Sequence, residues 1–127
     1  MPDTTPSSNK GYVTIGDVLK SEADYHNRVA ISAPDDVKCG QPILYEPRGE
    51  YLIALSDTEY GKVLVQPHNC VIYQDNIDMT KLAAIEVDTG AVDESDNPIM
   101  GPLTIDILKA QGDKHGIKYI TTNESAI

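Results

Sequence analysis

The side chains that could carry out acid–base or metal chemistry are few and scattered in this sequence. His26, His68 and His115 lie far apart along the chain, and no HxH or HxxxH spacing brings two of them together. We therefore expect each histidine to have a surface or structural role. His115 lies near the end of a predicted helix, where the helix dipole favours a partly cationic side chain.

Two acidic clusters, at residues 75–78 and 93–96, could in principle hold a hard cation such as calcium. Neither cluster follows the ligand order of a calcium-binding loop, and carboxylates in exposed loops are common in so acidic a chain. Ser21 and Ser56 lack the glycine elbow of a serine nucleophile, and the chain has no glycine-rich phosphate loop. The sequence predicts no catalytic residue, no metal site and no cofactor, which favours a binding or structural protein.

The two cysteines, Cys39 and Cys70, are too few and too far apart for a disulfide scaffold, and neither belongs to a CxxC pattern. Both are flanked by residues typical of β-strands. We therefore expect buried or half-buried thiols that pack as small apolar groups.

Length and composition predict one folded domain. The chain has 127 residues, of which 40% are hydrophobic and 24% charged. It contains no Trp and no Phe, so its core must consist of Ile, Val, Leu and Ala, while its seven Tyr suit partly wet interfaces. The net charge of −10 disfavours nucleic-acid binding. The sequence also lacks a membrane-spanning apolar run and a signal-like N-terminus, so we expect synthesis in the cytoplasm and no membrane contact.

The pattern of apolar residues predicts mainly β-structure. A strand is expected where small and apolar residues alternate, and a hairpin where two apolar runs flank a Pro-Arg-Gly turn. Two more short strands should flank a sharp turn at Pro67 and His68. The predicted strands are residues 28–33, 43–45, 51–55, 62–66 and 69–73.

The C-terminal half is less regular. Residues 81–87 fit either a helical turn or a strand of small residues, and residues 88–98 suggest a long, exposed acidic loop. Pro102 should open a short helix whose apolar stripe includes Leu103, Ile107 and Ala110, and Gly112 or Gly116 should end it. A last strand, GIKYI, should follow.

This order of segments resembles the head decoration (capsid cement) proteins of tailed bacteriophages, the lambda-type family. The resemblance lies in DVLKSEADYHNRVAI (residues 17–31), VKCGQPIL (37–44), KLAAIEVDTGAV (81–92) and LTIDILKAQGDKHGIKYI (103–120). Position in the family pattern favours a strand at residues 81–87. The chain departs from the pattern in residues 88–98, in the acidic stretch before the strand at 62–66, and in continuing beyond residue 120.

The resemblance implies a mainly β fold with one short C-terminal helix, arranged as a β-clip-like bent ribbon or incomplete barrel, in a homotrimer. The resemblance implies a head decoration domain (residues 17–121) behind an N-terminal arm (1–16), and the polar, Pro-containing composition of residues 1–10 predicts that this arm is flexible. Residues 122–127 are expected to form a C-terminal tail outside the family pattern. The implied partner is the major capsid protein, bound on the outside of the expanded head within the virion. The implied capsid-binding residues are Leu19, Glu22, Tyr25 and Arg28.

Other interpretations stay open. Leu19 and Tyr25 could instead pack on their own domain, and the same strands could serve a tail or adhesion module. A trimeric β-clip nucleotide hydrolase such as a dUTPase is a further alternative. The segments around Gly40, Gly61 and Gly101, however, lack the phosphate and uracil loops that such an enzyme needs.

Overall fold

The structure, a computed structural model, describes residues 13–123. Nine short strands and three α-helical segments follow one another in this range, and single 3-10 turns lie at Tyr25–Asn27 and Gln74–Asn76. The elements are α1 (Ile15–Val18), β1 (Leu19–Glu22), β2 (Val29–Ser32), β3 (Pro42–Tyr45), β4 (Glu50–Ile53), β5 (Lys62–Val65), β6 (Cys70–Tyr73), α2 (Met79–Ala83), β7 (Glu86–Val92), β8 (Pro98–Pro102), α3 (Ile105–Asp113) and β9 (Ile117–Ile120).

The strands form small open sheets, which confirms the prediction of a mainly β fold. One sheet has the order β1-β6-β9, and β2-β5, β3-β4 and β7-β8 are two-stranded antiparallel pairs. The predicted strand at 28–33 and the hairpin of β3 and β4 are both present. The strands predicted on either side of Pro67 form as β5 and β6, but they pair with different partners, since β5 joins β2 and β6 lies between β1 and β9.

The core consists of aliphatic side chains, as the absence of Phe and Trp requires. Leu55, Leu82, Leu103, Leu108 and Ile117 are among the largest fully buried side chains, and Val18 near the start of the described chain is fully buried with them. Burial of such side chains, each contributing about 1.5–3 kcal/mol, is the main favourable term in folding. Three of the small sheets, β1-β6-β9, β2-β5 and β3-β4, therefore share this core, whereas the β7-β8 pair contributes the half-buried Val87.

The predicted C-terminal helix is present, but it begins later than expected. Thr104 is the N-cap and its hydroxyl accepts from the Ile107 backbone N–H at 3.2 Å, so Pro102 ends β8 instead of opening the helix. Gly116, at φ +74°, turns the chain into β9 as predicted. Among the described residues this is the one helix of seven or more residues.

Residues 81–87 contain both of the alternatives that the sequence left open, and the loop predicted for residues 88–98 was wrong. The first half of the segment predicted as a strand is the end of α2, because the Asp78 carboxylate caps that helix by accepting from the Lys81 N–H at 3.0 Å. Residues 88–98, predicted as a loop, belong mostly to an antiparallel hairpin of β7 and β8. Only the five residues between the two strands form the connecting turn.

The described chain includes the last residues of the predicted arm and the first residues of the predicted tail. Val13 and Ile15 pack against the core, so residues 13–16 of the predicted arm belong to the packed part of the chain. The rest of that arm, residues 1–12, lies outside the described residues. At the other end, the Thr122 N–H and hydroxyl donate to the Asp75 carboxylate at 3.0 and 2.9 Å.

Candidate functional site

The four residues implied as capsid-binding lie on one short stretch that runs along the edge of the β1-β6-β9 sheet. Leu19 and Glu22 are the first and last residues of β1, Tyr25 opens the 3-10 turn, and Arg28 follows that turn. Glu22 and Arg28 contact each other, whereas Leu19 packs partly into the core. The four residues are therefore close in sequence, but they have different roles in the fold.

Glu22 and Arg28 close a loop around residues 23–27. The Arg28 Nε donates to both Glu22 carboxylate oxygens, at 3.0 and 3.2 Å, and Arg28 Nη2 donates to Glu22 Oε2. Such a two-pronged guanidinium–carboxylate contact fixes orientation as well as distance. The hydrogen bonds from Arg28 lower the pKa of Glu22 below its usual value of 4.5, although burial opposes the shift.

Gln66 fixes the same loop from inside the domain. Its side chain is buried, and Nε2 donates to Glu22 Oε1 at 2.8 Å and to the Asp24 carbonyl at 3.2 Å. Gln66 Oε1 in turn accepts from the His68 N–H at 3.3 Å. The charged groups of Glu22 and Arg28 are thus satisfied within the chain and hold the loop in place.

Tyr25 lies on the outside of this loop, as do the other residues from 23 to 27. It is 61% exposed, and its ring lies against His26 with centroids 4.1 Å apart. His26 is itself held by Asp24, whose carboxylate accepts from the His26 backbone N–H at 2.9 Å and lies 3.0 Å from Nδ1. A tyrosine on a loop that is fixed in this way combines an exposed ring with a constrained backbone, which suits a contact with another protein.

Two of the histidines contact each other, although the sequence had suggested that all three were isolated. The rings of His68 and His115 lie 6.2 Å apart in an edge-on arrangement, because β6 and β9 run parallel and bring the residues before them side by side. His115 Nε2 also lies 3.4 Å from Glu50 Oε1. The expectation of isolated histidines is therefore wrong for this pair.

Glu50 is the centre of a small charged cluster that the sequence did not indicate. Besides His115, Lys114 Nζ lies 3.1 Å from its carboxylate and Arg48 Nε lies 3.7 Å away, while the Arg48 guanidinium lies 5.0 Å from the centre of the Tyr45 ring. The cluster links the β3–β4 turn to the end of α3. The described residues hold no group of three or more His, Cys, Asp or Glu arranged to bind a metal ion.

Both cysteines are buried, as predicted. Burial raises the pKa of the Cys39 thiol and that of the Cys70 thiol to about 12, so neither is a thiolate at neutral pH. Their place in the structure is that of small apolar core residues.

The three glycine segments considered for a nucleotide site lie in unrelated places. Gly40 is in the turn before β3 and its backbone approaches the Asn76 carbonyl, Gly61 forms a tight turn before β5, and Gly101 is within β8. The fold does not bring them into one loop or one helix start.

Sequence reasoning missed the surface of the β7–β8 hairpin. Val92, Ile99 and Met100 are 57%, 42% and 50% exposed, which is unusual for apolar side chains on paired strands. The signal that could have found it is the order of two β-type runs around the turn sequence Asp-Glu-Ser-Asp-Asn. The high acidity of the segment suggested a loop instead.

Comparisons with family models, with curated proteins and with solved structures gave no match to this chain. Among the helices of the described range, none has the length and apolar character needed to cross a membrane.

Proposed function

We propose that this chain is a structural virion protein that binds the outer surface of an expanded phage head and stabilises the head against the pressure of packaged DNA. The active form is a homotrimer with the bent-ribbon β-clip arrangement, placed at the local three-fold positions of the capsid. Its partner there is the major capsid protein. The proposal begins from the family resemblance of residues 17–31, 37–44, 81–92 and 103–120.

The observation that carries the proposal is the exposed Tyr25 on a loop fixed by Glu22, Arg28 and Gln66. A partly buried ion pair and a buried amide fix this loop, although the Tyr25 side chain on it is exposed and does not pack in the core. An aromatic residue held in this way is typical of the residues that dominate protein–protein interfaces. Leu19, the first residue of β1, packs on the core.

The mechanism is mechanical. Each trimer offers three copies of the same contact, so it bridges neighbouring capsid subunits through several modest interfaces at once. Separating the subunits requires all of these contacts to break together, which is why weak single contacts can hold a head under internal pressure. The acidic surface keeps free copies apart until they reach the capsid.

The direct test is co-sedimentation of the purified protein with undecorated expanded heads. We expect the wild-type chain to sediment with the heads and to saturate them, and size-exclusion chromatography with light scattering to give three times the chain mass of 13.8 kDa. Tyr25→Ala should weaken head binding roughly tenfold or more while leaving the trimer intact.

A matched control is Tyr60→Ala, because Tyr60 is 96% exposed and lies in a different turn. That variant should bind heads like the wild type. Head binding that is equal for the Tyr25 variant and the wild type would move the contact to another surface, and a strictly monomeric wild-type protein would overturn the trimer.

A further inference from the structure

The hairpin of β7 and β8, which we call the acidic ribbon (residues 86–102), stands apart from the rest of the fold. Its two strands pair only with each other in the described part of the chain. Every residue from 88 to 100 is exposed. Val87 packs against the core at the base of the ribbon, but residues 88–100 form a two-stranded ribbon without a packed face. Such a ribbon is only marginally stable in water, so a second surface that covers it would stabilise it.

One face of the acidic ribbon carries an apolar strip. Val92 pairs with Pro98 across the ladder, and Met100 is two residues further along the same strand, so these three side chains share a face. Asp88, opposite Met100, lies on the same face. The strip is therefore a short apolar patch with a carboxylate beside it.

The turn of the acidic ribbon is held in one conformation. The Asp93 carboxylate accepts from the Ser95 and Asn97 backbone N–H groups at 2.8 and 3.0 Å, and the Asp93 N–H donates to the Asn97 carbonyl at 2.9 Å. Thr89 adds a hydrogen bond from its hydroxyl to the Ile99 carbonyl at 2.8 Å. A preformed ribbon of this kind loses little conformational entropy when it docks.

Charge identifies the kind of surface that fits. The acidic ribbon contains five carboxylates and no Lys or Arg, and the nearest basic residues in the sequence are Lys81 and Lys109. A second acidic ribbon would repel it, and so would nucleic acid or an anionic membrane. The complementary surface has cationic side chains around an apolar groove.

We propose that the acidic ribbon is a second docking element of this protein, whose apolar strip enters a groove rimmed by Lys and Arg on the capsid surface. This inference rests on the proposed function, because it names a further part of the same contact with the major capsid protein. It differs from that proposal in placing binding on residues 86–102 as well as on the Tyr25 loop.

The test uses the full chain and undecorated expanded heads, with binding measured by sedimentation. The double variant Val92→Ser, Met100→Ser removes the apolar strip, and Glu94→Lys reverses one charge at the turn without touching the strands. Each should weaken head binding roughly tenfold or more, with the trimer and its melting temperature unchanged.

Matched controls are Met79→Ser and Glu46→Lys. Met79 is 51% exposed, like Met100, but lies on α2, and Glu46 is exposed in the β3–β4 turn. Both controls should bind heads as the wild type does. Because Glu94→Lys leaves the strands intact, it tests the inference even if the double variant fails to fold.

The possible results separate the two proposals. If the wild-type protein binds heads and both ribbon variants bind with the same affinity, the acidic ribbon is not a docking element, and the proposed function still stands. Loss of the trimer in the ribbon variants means that the ribbon contacts a second copy, which also overturns the inference. A wild-type protein that does not sediment with heads overturns the proposed function and this inference with it.

Discussion

The ion pair between Glu22 and Arg28 gives the sharpest prediction, because it is the contact that fixes the Tyr25 loop. Their side chains are only 13% and 28% exposed, so the pair is partly shielded from water. Glu22→Ala removes the charge-assisted hydrogen bonds from Arg28 and the one from Gln66, and it leaves the Arg28 guanidinium without its carboxylate.

The expected cost follows from these contacts. Hydrogen bonds to charged groups contribute about 1.5–3 kcal/mol, and partial exposure places this pair near the lower end, so we expect Glu22→Ala to reduce the free energy of unfolding by about 2 kcal/mol. For a domain of this size that corresponds to a fall in melting temperature of roughly 5–10 °C. Urea denaturation at pH 7, followed by circular dichroism, measures the change directly.

The pH dependence supplies an independent check. The pKa of Glu22 is lower in the folded protein than its usual 4.5, mainly because of the hydrogen bonds from Arg28. The stabilisation is therefore fully present above pH 4.5 and is lost as the pH falls through the folded-state pKa. The difference in stability between wild type and Glu22→Ala should be largest near neutral pH and should shrink in acid.

A double-mutant cycle with Arg28→Ala completes the experiment, since the two changes should be clearly non-additive if the residues act as a pair. Lys62→Ala, on an exposed position of β5, serves as the control and should change stability by less than about 0.5 kcal/mol. Additive effects, or a Glu22→Ala cost that stays constant from pH 7 to pH 3, would refute the assignment of the pair as the clamp of this loop.

Three further predictions concern the rest of the fold. Glu50→Gln should lower the free energy of unfolding by about 2 kcal/mol in urea denaturation, because Arg48 and Lys114 lose their shared carboxylate; unchanged stability would contradict this role. Gly116→Ala should cost about 1–3 kcal/mol, since the residue has φ +74° and a Cβ there would meet the Asn69 side chain, and a neutral result would count against that turn. Cys39 and Cys70 should react with a thiol reagent at pH 8 far more slowly in the native protein than in urea, because burial raises both pKa values to about 12, and equal rates would argue against their burial.

Sequence patterns predicted the elements that bury a regular face. β2, the β3–β4 hairpin, α3 and β9 have alternating or helical apolar positions and lie next to a Pro or Gly, so their type follows from local chemistry. The stripe predicted for α3 was correct only in part, since Ile107 is half-buried but Ala110 is exposed, and Leu108 and Gly112 are the buried residues of the helix. Its start was also wrong, because Thr104 caps the helix and Leu103 precedes it.

The elements that were missed bury little. The acidic ribbon exposes both of its faces, so it lacks the alternation of apolar and polar residues by which a half-buried strand is recognised. Helix α2 is five residues long and depends on one side-chain cap from Asp78. Such short elements are decided by individual hydrogen bonds, which patterns averaged over a window do not detect.

The side-chain contacts also differ in how far they can be predicted from the sequence. The Glu22–Arg28 pair spans six residues and could be anticipated as one local unit. The approach of His68 to His115 depends on the parallel register of β6 and β9, in which Cys70 lies beside Ile117. A contact between residues so far apart in sequence follows from the tertiary fold and has no local signature.

The measurement that tests the central proposal most directly is cryo-electron microscopy of undecorated expanded heads incubated with the purified chain. The proposal predicts trimeric density on the outer surface at the local three-fold positions, with the Tyr25 loop against the capsid. Bare heads, with the protein left free in solution, or density on the tail instead of the head, would contradict it.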